Sequence, residues 1–479
     1  MSDGNLAEKA RVGLGRRSFL KLGLVAGAVA GLGVVGNNAK EACAVTYHDS
    51  IDDIMEITDE FERYDQVRTA FNRTTYAFKL SIEEKDDRDF APLIAQYDGS
   101  DKTLPFEFGV TTGYTTLDMS YRWGTMALNV LLSGTATGAN ENWIQRQDGS
   151  IQSYGLFGQE VSSFPDAVQT NFAVAKKQMP FESPEAAAYA VKKAVKKYGA
   201  SSVGIAPFDE RFTYKTKVYA PKSDVTKKTV PELMDLYASN EFTFEPKSVV
   251  VFTTEMDYES YKTSPTMVAG GADFIGYSNL GIIGLRTAMF LRKLGYNTRH
   301  SGNDVGPNIP NAIAAGLGES SRMGILVTKE FGPRVRIGKV FTDLEMTPDK
   351  PVTFGVRDFC QVCQVCSDGC PSGAINKCDT TDDPENKPYT ICEQTGVKGK
   401  WYVNAQKCIH NWNYHVGSTC GICISICPYN KPQTWNHELV KMVTLVPGLN
   451  SMARYFDHFF GFGTIASEQE IKDFWVRAI

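Results

Sequence analysis

The sequence predicts a mixed α and β fold, an α/β body followed by a compact cysteine-rich module. Three observations lead there. Helix-type and strand-type hydrophobic patterns alternate through residues 181–345. Ten of the 11 cysteines lie between Cys360 and Cys427, whereas a disulfide scaffold would be short and would spread them over many loops. The composition, 42% hydrophobic and 22% charged over 479 residues, is that of a globular chain and excludes a disordered one.

Five segments follow in order: 1–44, 45–180, 181–350, 351–437 and 438–479. In the first, Arg16-Arg17-Ser18-Phe19-Leu20-Lys21 precedes an uncharged, Gly- and Ala-rich run from Leu22 to Gly36. That run is too short to span about 30 Å of hydrocarbon, and Ala42-Cys43-Ala44 supplies the small residues of a cleavage site. The pattern resembles a twin-arginine export signal, an address read by a receptor and not an anchor. No other segment approaches about 18 consecutive apolar residues. The net charge is −5, and more acidic still without residues 1–44, which argues against a nucleic-acid partner.

Residues 45–180 read as mostly irregular. Ser183-Pro184 then marks a helix start and Gly199 its stop. Ser202–Ala206 and Ser248–Thr253 are short apolar runs of strand type. Helices are expected at Leu280–Leu294, closed by Gly295, and at Ile309–Leu317, with a strand at Gly324–Thr328. Pro348-Asp349-Lys350-Pro351 breaks the pattern as a linker, and the aromatic-rich tail should pack back on the body.

The cysteines carry the strongest chemical signal. Cys360-x2-Cys363-x2-Cys366-x3-Cys370-Pro371 is the spacing of bacterial ferredoxins, in which the fourth cysteine ligates the other of two clusters. Cys408-x11-Cys420-x2-Cys423-x3-Cys427-Pro428 repeats it with a lengthened first spacing. Crossing therefore assigns Cys360, Cys363, Cys366 and Cys427 to one [4Fe–4S] cluster, and Cys370, Cys408, Cys420 and Cys423 to the second. Paired four-cysteine zinc sites are the alternative that thiolate chemistry allows, and Cys378 or Cys392 could compete with Cys408. Two adjacent clusters make a wire for single electrons, and the rest of the chain should house its terminus.

With export signal, α/β body and doubled cluster motif in that order, the chain resembles the respiratory reductive dehalogenases, from Arg16 to the C-terminal segment. Val203-Gly204-Ile205-Ala206-Pro207, Ala315-Gly316-Leu317-Gly318-Glu319 and Thr347-Pro348-Asp349-Lys350-Pro351 look like phrases of chloroethene and chloroalkane reductases. The resemblance implies a nitroreductase-like core holding base-off cobalamin beside a ferredoxin-like module with two [4Fe–4S] clusters. It implies a small organohalide as substrate, an electron donor from a respiratory chain and a separate membrane-anchor protein, on the outer face of the cytoplasmic membrane. A homodimer is one arrangement open to it. No Asp-x-His-x-x-Gly motif for a cobalt-ligating histidine is present, in keeping with base-off cobalamin.

The resemblance also assigns residues. Tyr277, in Phe274-Ile275-Gly276-Tyr277-Ser278, matches the family's proton-donating tyrosine; Arg336 matches the arginine adjoining that phenol, and Asn303 the asparagine beside the pair. A free tyrosine, with pKa near ~10, is a sluggish acid at neutral pH; a guanidinium within ~4–6 Å favours the phenolate. Tyr114, Trp412 and Phe71 fall where aromatic walls above the corrinoid are expected, hydrophobic core being their other reading. Two further functions compete: an epoxyqueuosine-reductase-like corrinoid enzyme acting on tRNA, and an exported electron carrier with no catalytic centre. The export signal and acidic charge weigh against the first, the long α/β body with the trio against the second.

Overall fold

A computed structural model describes residues 45–63, 107, 109–132, 143–145, 151–153, 174–218, 237–239, 242–303, 305–380, 396–417, 419–432 and 463–476. The chain divides into two units, Met1–Val45 and Thr46–Ile479, and every described strand and helix belongs to the second. The expected export signal, Phe71 and Cys392 lie outside the described residues.

At the centre is a four-stranded sheet of β1 (Ser202–Pro207), β2 (Ser248–Glu255), β3 (Thr298–Ser301) and β4 (Val335–Thr342), in the order β1-β2-β4-β3. Every pair in it is antiparallel. Two of the strands, β3 and β4, were not anticipated from the sequence. Conversely, the strand expected at Gly324–Thr328 shrinks to Leu326–Val327, paired with Glu319–Ser320 in a separate hairpin. The body is thus an α+β layer in which neighbouring strands are antiparallel, while β2 and β3, both antiparallel to the β4 between them, run parallel and are joined through the helix Met267–Lys293.

Alternation along β2 decides the layering. Val249 and Val251 point to one face and Val250 and Phe252 to the other, all four fully buried. Burying each such side chain contributes about 1.5–3 kcal/mol. One face is covered by helices α2 (Pro184–Lys197) and α3 (Met267–Lys293), through Val191, Val195, Leu280 and Ile283. The opposite face carries α4 (Asn308–Ala314), with Ala312 and Ile313 packed on Phe341 and Ile337.

Helix α2 starts as read: the Ser183 side chain accepts from the Ala186 amide, and Gly199 leaves it at φ +111°. Helix α4 is shorter than expected, ending at Ala314 before Gly316 at φ +69°. The larger correction is α3, which begins at Met267 under a Thr266 cap, thirteen residues before the expected Leu280. Its early glycines lower helix propensity by about 1 kcal/mol each. Tertiary packing requires them: a Cβ on Gly276 would stand 2.8 Å from Cγ of Arg336, and one on Gly284 1.9 Å from Nε2 of His300. Among the described helices α3 alone has the length and apolar character to cross a bilayer, and here it is a core helix against the sheet.

The region expected to be irregular contains α1 (Thr116–Leu132), which packs along α3. The break at Pro348–Pro351 lies against β1, where Asp349 pairs with Lys192 at 2.7 Å and accepts from the Ile205 amide at 2.8 Å. At the C-terminal end, Trp475 donates to Asp118 at 2.7 Å and Thr112 to Glu468 at 3.1 Å.

Candidate active site and cluster cysteines

Tyr277 sits in the third turn of α3, half-buried, on the face turned to the sheet. Arg336 lies on β4, on the sheet face that α3 covers, and its guanidinium carbon stands 4.8 Å from the centre of the Tyr277 ring. Asn303 follows the end of β3 and donates from Nδ2 to the Tyr277 hydroxyl at 3.4 Å. Residues far apart in sequence thus meet at one phenol, because β3 stops at Ser301 opposite Lys339 and leaves Arg336 beyond its last pair. The loop after β3 turns at that step.

The contact between Arg336 and Tyr277 differs from the expected one. The guanidinium lies over the ring face, while its Nη2 is ion-paired with the buried carboxylate of Asp273, one turn earlier on α3. Burial works against the Arg336 charge, but Asp273 and then Tyr277 and Tyr261 outweigh it and raise its pKa. The Arg336 Nε is buried with no hydrogen-bond partner among the described residues. Asp273 also takes a hydrogen bond from Tyr261, whose phenol is pushed well above its ordinary range, first by burial and then by Asp273.

Of the expected aromatic walls, Tyr114 is buried, and its hydroxyl donates to the Pro265 carbonyl at 2.5 Å. Burial, then the neighbouring Cys420, pushes that phenol up. Trp412 is half-buried at the start of a π-helical turn, Trp412–Val416, directly after the helix Ala405–Asn411 that carries Cys408.

The two cysteine motifs fold alike. Gln364, at φ +54°, and Gly421, at φ +67°, are each followed by a four-residue helix, Val365–Asp368 and Ile422–Ser425, and these two helices pack together. A side chain at Gly421 would meet the Tyr261 and Ser264 hydroxyls at 2.9 Å, so glycine is required there for close approach as well as for its backbone angle.

The thiols fall into two groups of neighbours. Burial and then Cys363, Cys360 and Cys366 push Cys427 well above the ordinary thiol range. Burial and then Cys408, Cys420, Cys366 and Cys370 do the same to Cys423. The influence of Cys366 on both places the two groups side by side. Cys360 is pushed up to about 12 and Cys366 to about 11, by burial first, with Arg322 opposing the rise in both. Buried thiols of this kind become thiolates only beside strong positive charge. Among the described residues no three His, Cys, Asp or Glu side chains converge at the spacing of a single metal ion.

Sequence reasoning missed Asp273, Lys339, Asn308 and Arg322. Arg322 is 1% exposed and donates to the carbonyls of Cys360 at 2.8 and 3.0 Å, Asn376 at 2.9 Å and Cys378 at 2.6 Å, which ties the first motif to the body. Nothing local marks it. Lys339 did leave a signal, as a lone cation in phase with the apolar Ile337 and Phe341.

An α+β core with a tyrosine held between an arginine and an asparagine, beside eight cysteines in two groups, is the setting in which the chain proves similar to reductive dehalogenases, and it spans about 60% of the length of the first of these relatives. It is 40% identical over 332 residues to the tetrachloroethene reductive dehalogenase of Desulfitobacterium hafniense, covering 62% of this chain and 60% of that relative. The tetrachloroethene reductive dehalogenase of Sulfurospirillum multivorans is 28% identical over 516 residues, covering 98% of this chain and 95% of the relative. The catabolic reductive dehalogenase NpRdhA, solved with 3-bromo-4-hydroxybenzoic acid, matches with a TM-score of 0.57 at 19% identity, over 91% of this chain and 50% of that one; this likeness is one of fold. No family model matches the chain.

Proposed function

We propose that this protein is a reductive dehalogenase acting on a small chlorinated alkene or alkane, R–X + 2 e⁻ + H⁺ → R–H + X⁻, as the terminal reductase of an anaerobic respiratory chain. The observation that carries the reading is the convergence of Arg336 and Asn303 on Tyr277 in a homologue of tetrachloroethene reductive dehalogenases. Cobalamin, when bound, would supply the cobalt chemistry that breaks the carbon–halogen bond, and two [4Fe–4S] clusters would supply single electrons. A solved protein of the same fold is B12-dependent in its dehalogenation.

The residues present suit these groups. Cys360, Cys363, Cys366 and Cys427 would hold one cluster and Cys370, Cys408, Cys420 and Cys423 the other, following their grouping in the fold. Tyr114, with its hydroxyl already engaged, and Trp412 would wall the corrinoid. Arg336 keeps a buried Nε free of hydrogen bonds to the described residues, a donor beside the phenol.

Tyr277 gives its hydroxyl proton to the carbon that loses the halogen. The phenolate left behind receives a hydrogen bond from Asn303, and the Arg336 guanidinium over the ring face favours the negative charge. Because Asp273 pairs with Arg336, that help comes from a nearly neutral pair and is weaker than a lone cation would provide. A twin-arginine address at Arg16-Arg17 would carry the loaded protein to the outer face of the cytoplasmic membrane, with a separate protein as anchor.

The test is purification under anoxia, with iron and cobalt measured per chain and halide release followed with a chlorinated ethene and a low-potential donor. About eight irons are expected, with cobalt equimolar to the chain. Tyr277→Phe should keep both metals while turnover falls by roughly 10²–10⁴. A fully loaded Tyr277→Phe protein with near wild-type turnover refutes the proton role. Absence of cobalt, or of any halide release, refutes the enzyme assignment.

A further inference from the structure

We propose that a buried ammonium, that of Lys339, sets the hydrogen-bond direction at the Tyr277 hydroxyl through a relay of two asparagines. The inference rests on the reading of Tyr277 as the proton donor and assigns two positioning residues behind it. Lys339 lies in the middle of β4, fully buried, on the sheet face opposite Arg336. Its three N–H groups meet three oxygens: the carbonyls of Gly302 at 2.7 Å and Gly306 at 2.8 Å, and Oδ1 of Asn308. Three donors facing three acceptors is the full capacity of an ammonium group, and it is how a charge is carried in a core.

The direction of each further bond follows. An ammonium only donates, so the Asn308 amide must turn its oxygen to Lys339. Its nitrogen then faces outward, where it donates to the Ile337 carbonyl at 3.0 Å and to Oδ1 of Asn303. Asn303 is thereby forced to present its own nitrogen to the Tyr277 hydroxyl, at 3.4 Å. The phenolic oxygen becomes an acceptor, and its proton points away from the relay. A donor at that oxygen favours the phenolate; an acceptor there would hold the proton on the tyrosine. The path runs around the sheet edge that the early end of β3 leaves open, joining the α4 face to the α3 face. Among the described residues, the other ionisable groups facing Tyr277 are Arg336 on β4 and, through it, Asp273 and Tyr261.

Asn308→Asp reverses the relay without removing Lys339's partner. A carboxylate still accepts from Lys339 but also accepts from Asn303, which must then turn its oxygen to the phenol. An acidic residue is favoured in the first turn of α4. Asn308→Ala instead releases Asn303 to take either orientation, and it leaves Lys339 its two carbonyls. Each loaded variant is titrated for tyrosinate absorbance against its own Tyr277→Phe counterpart, and kcat and KM are measured across pH. In Asn308→Asp the Tyr277 tyrosinate signal and the alkaline limb of kcat should both move to higher pH, with kcat down about tenfold, KM unchanged and metal content retained. Asn308→Ala should fall between it and the wild type. An unmoved tyrosinate signal in loaded Asn308→Asp overturns the relay; if that variant does not hold its metals, the same result in Asn308→Ala does so. The absorbance readout judges the relay whether or not Tyr277 proves to be the proton donor, so the two ideas fail separately.

Discussion

Asp273 shows how one side chain changes the chemistry of its neighbours. It is 1% exposed, it balances Arg336, and it accepts from Tyr261. Removing one partner of a buried pair leaves the other charge uncompensated, at a cost of about 3–5 kcal/mol. Because the Arg336 side chain keeps 21% of its exposure, Asp273→Leu should fall near the lower end, about 3 kcal/mol. Replacing both residues by leucine should recover much of that loss. The check is the denaturation midpoint of the loaded protein in the two single variants and the double one; an additive double variant would show that the ion pair does not couple the two positions.

At the scale of elements, the helix Glu468–Asp473 is fastened by groups that titrate. Glu470 closes a capping box with Ser467 and reaches Lys262 at 3.1 Å. The Ser467 amide first, and Lys262 next, hold its carboxyl down at about 2 against the opposing effect of burial. An unfolded glutamate titrates near ~4.3. A depressed carboxylate contributes stability that is fully present above the unfolded value and is lost as pH falls through the folded one. Amide-exchange protection of residues 467–474 should therefore weaken from about pH 5 downward, while β2 and β4 keep theirs. Glu468, held down mainly by Lys472, adds in the same direction. Glu470→Gln should remove most of the step; an unchanged acid profile in that variant would assign the fastening to other contacts. The same scale explains the misplaced start of α3. Gly270, Gly271 and Gly276 read locally as a break, whereas Gly271 lies where a Cβ would stand 2.5 Å from the Tyr121 ring and Gly276 admits Arg336. A local pattern has no access to what presses on a residue from another element.

For the whole molecule, the crossed cysteine sets make a prediction that no single motif could. Cys370 belongs to the first motif in sequence but groups with Cys420 and Cys423, and Cys427 belongs to the second but groups with Cys360, Cys363 and Cys366. Cys370→Ser and Cys427→Ser should therefore perturb different clusters, each the one opposite to its own motif, as separate changes in the low-temperature electron paramagnetic resonance spectrum of the reduced protein. Cys378→Ser should leave both signals in place. The same spectral change from both cluster variants would show that the sets do not cross.

The thiols and their spacing were legible because a cluster turn is a local object: Cys363 to Cys370 lies within one short stretch of backbone whose angles repeat at Cys420 to Cys427. The helix at Ser183-Pro184 was legible for the same reason, since cap and first turn are neighbours in the chain. By itself the sequence also put forward Tyr277, Arg336 and Asn303 as candidates, through short phrases that resemble those of a known family. Only the tertiary structure decided how they meet. It made the sheet antiparallel, laid Arg336 over the phenol ring, bound it to Asp273, and placed Lys339 and Asn308 behind Asn303. Those contacts join residues on different strands and helices, and which face each residue takes depends on strand register, a property of the assembled sheet.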